Sequence, residues 1–140
     1  MSDEIFNLFD DIDRQTSDED EEIREKFLRA PFPYIGGKSH SVKHILPALP
    51  YDKAFIEVFG GSGAVILSRK PSPLEVFNDR YAGVTSFYRC IRDPVKHKEL
   101  ARRINMTPWS REEFMFCKQT WQDVSDDIER AARWFSMIIM

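Results

Sequence analysis

A short apolar run, Ala54-Phe55-Ile56-Glu57-Val58-Phe59, leads straight into Gly60-Gly61-Ser62-Gly63 and then into a second apolar stretch, Ala64–Ser68. Aromatic and β-branched residues favour a strand in the first segment, and the glycines allow a tight turn before a helix. This order of strand, glycine turn and helix constrains the chain more than any other feature. A second apolar run, Leu74–Phe77, follows Pro71 and Pro73 and stops at Asn78-Asp79. Two such strands with a helix between them form a βαβ unit, with parallel strands and a right-handed crossover. The expected class is therefore α/β.

The rest reads as helices. One is expected over Tyr81–Arg92, and another over Val95–Asn105 with Pro94 in its first turn. Ser110-Arg111-Glu112-Glu113 has capping-box spacing and opens a third through about Gln122. A fourth spans Asp126–Met140, with Ile128, Ala131, Ala132, Phe135 and Ile138/Ile139 on its buried side. Parallel sheets are stable when several strands lie side by side with both faces covered, and only two strands are evident. The run from Trp134 to Met140 is apolar and carries no Gly, Asn or Lys stop signal. Both features predict a domain that is incomplete at its C-terminus, with an open sheet edge that favours self-association or a protein partner completing the sheet.

Charge divides the chain in two. Residues 1–25 hold eleven carboxylates against Arg14 and Arg24, a balance of −9, so residues 26–140 carry +6 within the overall −3. Ile5, Leu8, Phe9 and Ile12 follow helical spacing within this acidic leader. The leader is read as a partly disordered, solubilising segment, with a partner-docking helix as the sharper alternative. A further helix is expected from Ser17 to about Arg29, ended by Pro31 and Pro33. Acidic residues exclude an export signal, and no apolar stretch reaches the ~20 residues of a membrane span. Two isolated cysteines, Cys90 and Cys117, form no disulfide framework. A reducing, cytoplasmic setting fits these features.

A glycine turn between strand and helix places unpaired backbone N–H groups and the positive end of a helix dipole beside a crevice. The dinucleotide fingerprint GxGxxG is incomplete, because Gly61-Ser62-Gly63 is followed by Ala64, Val65 and Ile66. Asp79 at the end of the second strand supplies paired acceptors suited to ribose hydroxyls, so a nucleoside-bearing cofactor is expected. The simpler alternative makes Gly60–Gly63 a tight turn and Asp79 a helix cap. A second glycine pair, in Tyr34-Ile35-Gly36-Gly37-Lys38-Ser39, is not a Walker loop, since Phe32 stands where its first glycine belongs. His40 and His44 lack the glutamate of a zinc-protease helix and read as surface residues.

Taken in order, these motifs resemble the N-terminal part of the Dam-like DNA adenine-N6 methyltransferases. Pro33-Tyr34-Ile35-Gly36-Gly37-Lys38 is similar to the Gly-Gly-Lys segment that opens that family's domain, and Leu49-Pro50 to the Leu-Pro that follows. Ile56-Glu57-Val58-Phe59-Gly60-Gly61-Ser62-Gly63 resembles its Glu-Pro-Phe-x-Gly-x-Gly strand, with Val58 in place of proline. Asn78-Asp79 and Phe87-Tyr88 match the acidic strand end and the helix after it, and residues 130–135 resemble a later helix.

The resemblance implies a Rossmann-like, S-adenosylmethionine-dependent methyltransferase fold over residues 26–140, with double-stranded DNA as substrate of the complete enzyme. Tyr34, Gly36, Gly37 and Lys38 would line the methionine end of S-adenosylmethionine. Phe59, Gly60, Gly61 and Gly63 would bring the backbone close to it, and Asp79 would hold the ribose. Glu57 would orient the glycine loop or neutralise Lys38. Basic helices around Lys96, Lys98, Arg102 and Arg103 would give weak, salt-sensitive attraction to DNA. The family's Asp-Pro-Pro-Tyr type tetrapeptide, which orients the adenine amine, is absent from these 140 residues. Asp93-Pro94-Val95-Lys96 lacks its second proline and aromatic ring. A chain that binds cofactor or a partner without catalysis is the second reading, and an unrelated oxidoreductase is a third.

Overall fold

The structure, a computed structural model, describes residues 29–140. The acidic leader, and nearly all of the helix expected from Ser17, lie outside the described residues. The described chain begins with α1 (Val42–Ile45), continued by a 3-10 turn over Leu46–Ala48. Next come β1 (Ala54–Glu57), α2 (Ala64–Leu67) and β2 (Leu74–Phe77). The remainder is α3 (Ala82–Ile91), α4 (Pro94–Met106), α5 (Arg111–Thr120) and α6 (Asp127–Ile139). The class is α/β, as the periodicity predicts, and none of these helices is long and apolar enough to cross a membrane.

β1 and β2 pair in parallel, with Ala54 opposite Leu74 and Glu57 opposite Phe77. β1 stops two residues earlier than the apolar run suggests. The Asn78 side-chain amide donates to the Val58 carbonyl at 2.8 Å and the Gly60 N–H donates to the Asn78 carbonyl at 2.9 Å, so Val58 and Phe59 already belong to the turn. Side chains alternate across the pair. Glu57 is buried and Phe77 half-buried on one face, whereas Ile56, Leu74 and Val76 are exposed on the other. The crossover from α2 into β2 is pinned by Arg69, which lies over the Phe55 ring and bonds both Ser72 and Glu75.

The core lies in the helical layer, where α6 packs against α3, α4 and α5. Trp134 is its fully buried centre, with ring centroids 5.0 Å from Phe32 and 5.8 Å from Phe87. A Cβ at Gly83 would overlap its indole, so this glycine lets α3 close on α6. The face expected for α6 packs on the core, and it is wider than the residues named for it. Ala131, Ala132 and Phe135 are buried, but so are Trp134 and Ser136, while Ile128, Ile138 and Ile139 are only half-buried. A helix surrounded on three sides buries a wider arc than a single amphipathic stripe.

Side chains mark the helix starts. Asp93 accepts from the Val95 and Lys96 N–H groups, Ser110 from Glu113 and Asp126 from Glu129. The capping box at Ser110 is half-formed, because the Glu113 carboxylate takes the Cys117 thiol instead of reaching back.

Ion pairs clasp α4 to α6. Glu99 bonds Arg102 at 2.7 Å and Arg103 at 2.9 Å, and Arg103 reaches Asp126 and Glu129. The two guanidinium groups hold the Glu99 carboxyl down at about 2, and Asp126 is lowered by the Glu129 N–H and Arg103. Carboxyl groups lowered in the folded state stabilise it at neutral pH, and that contribution fades as pH falls from the ordinary carboxylate range toward the lowered value. Stability should therefore decline progressively below about pH 4.5. Thermal melts between neutral and strongly acidic pH check this, and a flat profile would contradict the clasp. Elsewhere on α4, Lys96 pairs with Asp127.

Candidate functional site

All nine residues singled out from the sequence lie around the C-terminal ends of β1 and β2. Tyr34, Ile35, Gly36 and Gly37 form a tight turn, closed by the Gly37 N–H donating to the Tyr34 carbonyl at 2.8 Å with Gly36 at φ 73°. Lys38 follows this turn and crosses to the segment after β1, donating to the Phe59 carbonyl at 2.9 Å. The first glycine segment is thereby tied to the second, 21 residues away in sequence.

The second turn is equally determined. The Gly63 N–H donates to the Gly60 carbonyl at 2.8 Å, and Gly61 and Gly63 have φ of 54° and 73°. At Gly63 a side chain would meet both this left-handed strain and the Tyr88 hydroxyl 2.8 Å from its Cβ. A Cβ at Gly61 would lie 3.0 Å from the Tyr34 ring, so glycine lets that ring lie against the loop. Phe59 itself projects into solvent, 79% exposed, and contributes backbone rather than packing.

Asp79 closes the site. One carboxylate oxygen accepts from Gly61 N–H at 2.7 Å and the other from Tyr81 N–H at 2.8 Å, joining the glycine loop to the start of α3. The simpler sequence reading, Asp79 as a cap, describes part of what it does. A carboxylate has about four lone-pair sites, so two directions remain for ligand hydroxyls. Burial, then the nearby negative charge of Asp79, raises the Tyr34 phenol pKa and keeps it neutral.

Two residues outside those nine shape the site. Glu57, 7% exposed, accepts from Ile66 N–H at 3.0 Å and lies 3.8 Å from the Lys38 ammonium. Burial raises its pKa, opposed by that N–H and by Lys38. A lone carboxylate inside an apolar strand, just before the glycine turn, was the signal for it. Tyr88 donates from its hydroxyl to the Ser62 carbonyl at 2.7 Å while its ring packs on Phe77 at 4.8 Å. Burial raises its pKa strongly, and the Glu57 charge adds to that. Periodicity marks Tyr88 only as a helix residue, so its link to the loop was not legible. His40 and His44 are exposed, away from these bonds.

Comparison with family models matches residues 34–140 to the D12 class N6 adenine-specific DNA methyltransferases. The chain belongs to this family. The match begins at Tyr34, the first residue of the Gly-Gly-Lys turn, and runs through all six elements that follow β1. No individual curated protein matches significantly. D12 membership supports methyl transfer to adenine in DNA and does not favour the non-catalytic or oxidoreductase readings.

Proposed function

We propose that residues 34–140 form the cofactor-holding part of a Rossmann-like methyltransferase domain, which uses S-adenosylmethionine to methylate N6 of adenine in double-stranded DNA. The observation that carries this reading is the convergence of Lys38, the Gly60–Gly63 turn and Asp79 at one end of two parallel strands. The residues suit the cofactor. Lys38 offers a cation to its carboxylate, Asp79 has acceptor sites left for ribose hydroxyls, and open space surrounds the Cβ position of Gly36. When bound, S-adenosylmethionine supplies an activated methyl group on a sulfonium centre. Tyr34, Gly36 and Gly37 line its methionine end, and Phe59, Gly60, Gly61 and Gly63 present backbone. The exposed face of Ile56, Leu74 and Val76 supports contact with further protein, whether a second copy or a partner.

Titration calorimetry with S-adenosylmethionine tests the reading, with NAD as the control that should not bind. Asp79→Ala should weaken S-adenosylmethionine by about 1–3 kcal/mol, roughly ten- to a hundredfold. Asp79→Asn keeps one acceptor and should lose less. Unchanged affinity in both variants would remove Asp79 from the site.

A further inference from the structure

Lys38 is held from two sides. Its ammonium carries three N–H donors on a flexible stem. One donates to the Phe59 carbonyl at 2.9 Å and a second faces Glu57 Oε1 at 3.8 Å. Among the described residues no other acceptor takes the third, and the side chain is 42% exposed.

Glu57 is fixed in turn. It ends β1, and its other oxygen accepts from Ile66 N–H in the first turn of α2. The N-cap of that helix is Gly63, which has no side chain to offer, so Glu57 serves as the cap. The carboxylate therefore cannot turn toward solvent without uncapping α2. Burying a charge here is unfavourable, and a neutral glutamine would cap α2 with less desolvation. What a charge adds, and glutamine would not, is attraction for Lys38.

We propose that Glu57 is a positioning residue, which holds Lys38 so that its remaining N–H meets the carboxylate at the amino-acid end of the cofactor. The inference rests on the cofactor reading above and assigns the residue that orients its anionic end.

The test uses residues 1–140 and two ligands. S-adenosyl-L-homocysteine has the amino-acid end, and 5′-methylthioadenosine lacks it. Glu57→Gln should weaken S-adenosyl-L-homocysteine by about fivefold to tenfold and leave 5′-methylthioadenosine unchanged. Lys38→Met should reproduce that pattern, and adding Glu57→Gln to it should bring no further loss. Equal weakening of both ligands would mark Glu57 as structural only and overturn the proposal, as would an unchanged affinity for S-adenosyl-L-homocysteine. Binding of neither ligand by the wild-type chain would overturn the cofactor reading itself, and this inference with it.

Should the Glu57→Gln variant lose its cooperative melt, the wild-type chain decides through pH. The charged and titratable groups facing Glu57 are Lys38 and Tyr88, and Tyr88 stays neutral throughout. Glu57, raised by burial, loses charge as pH falls from neutral to below the ordinary carboxylate range, so the preference for S-adenosyl-L-homocysteine should shrink over that fall. A constant preference would overturn the proposal.

Discussion

Residues 1–140 are expected to bind S-adenosylmethionine and still leave unmethylated duplex DNA at background in a tritiated methyl-transfer assay. Holding a methyl donor does not accelerate transfer unless the adenine amine is fixed in line with it, and such positioning can supply about 7–11 kcal/mol of barrier reduction. These residues contain no Asp-Pro-Pro-aromatic tetrapeptide to do so. The nearest candidate is spent elsewhere: the Asp93 carboxylate accepts from Val95 and Lys96 N–H groups as the cap of α4, and its proline is that helix's first residue. Pro33-Tyr34 follows no acidic residue in sequence, and Tyr34 already lies against Gly61. Turnover clearly above background would show that the amine is oriented by groups outside those motifs.

Trp134→Ala should be the most destabilising single change in the helical layer, by about 3–5 kcal/mol. The indole is fully buried, meets Phe32 edge to face, and fills the space left by Gly83 between α3 and α6. Against a total of about 5–15 kcal/mol for a domain, that loss should abolish or strongly broaden the thermal transition. Trp134→Phe should be far milder. It keeps a ring in the core and removes an indole N–H that has no hydrogen-bond partner among the described residues. Near-equal melting of the wild-type and alanine chains would mean that Trp134 is not the keystone of this layer.

Local chemistry was legible in the sequence because it is written in contiguous residues. Both strands, the Pro94 and Ser110 helix starts, and the glycine turn at residues 60–63 occur where propensity and turn chemistry place them. What escaped the sequence depends on who the neighbours are. Trp134 lies three residues after Ala131 and four before Ile138, at the border of the expected stripe, and the packing of α6 against three helices makes it the fully buried centre. The approach of Glu57 to Lys38 was expected only through the family resemblance, because it requires two turns distant in sequence to meet. The pairing of Lys96 with Asp127, and of Arg103 with Asp126 and Glu129, likewise requires α4 and α6 to meet.

Tyr88 gives the molecule an uneven distribution of local stability. β1 and β2 contact each other, and β1 also contacts α2, while α3 to α6 contact among themselves. Tyr88 stands between, its ring on Phe77 and its hydroxyl on the Ser62 carbonyl. Such an arrangement divides into two cooperative units, in which the strand pair opens to solvent at a lower free energy than the helices. Opening of the strand pair breaks the Tyr88 hydroxyl bond without dismantling the aromatic cluster around Trp134. A ligand seated at the glycine loop would therefore suppress exchange of the strand amides first, and would reach α3 through two links, Asp79 at its start and the Tyr88 phenol along its length.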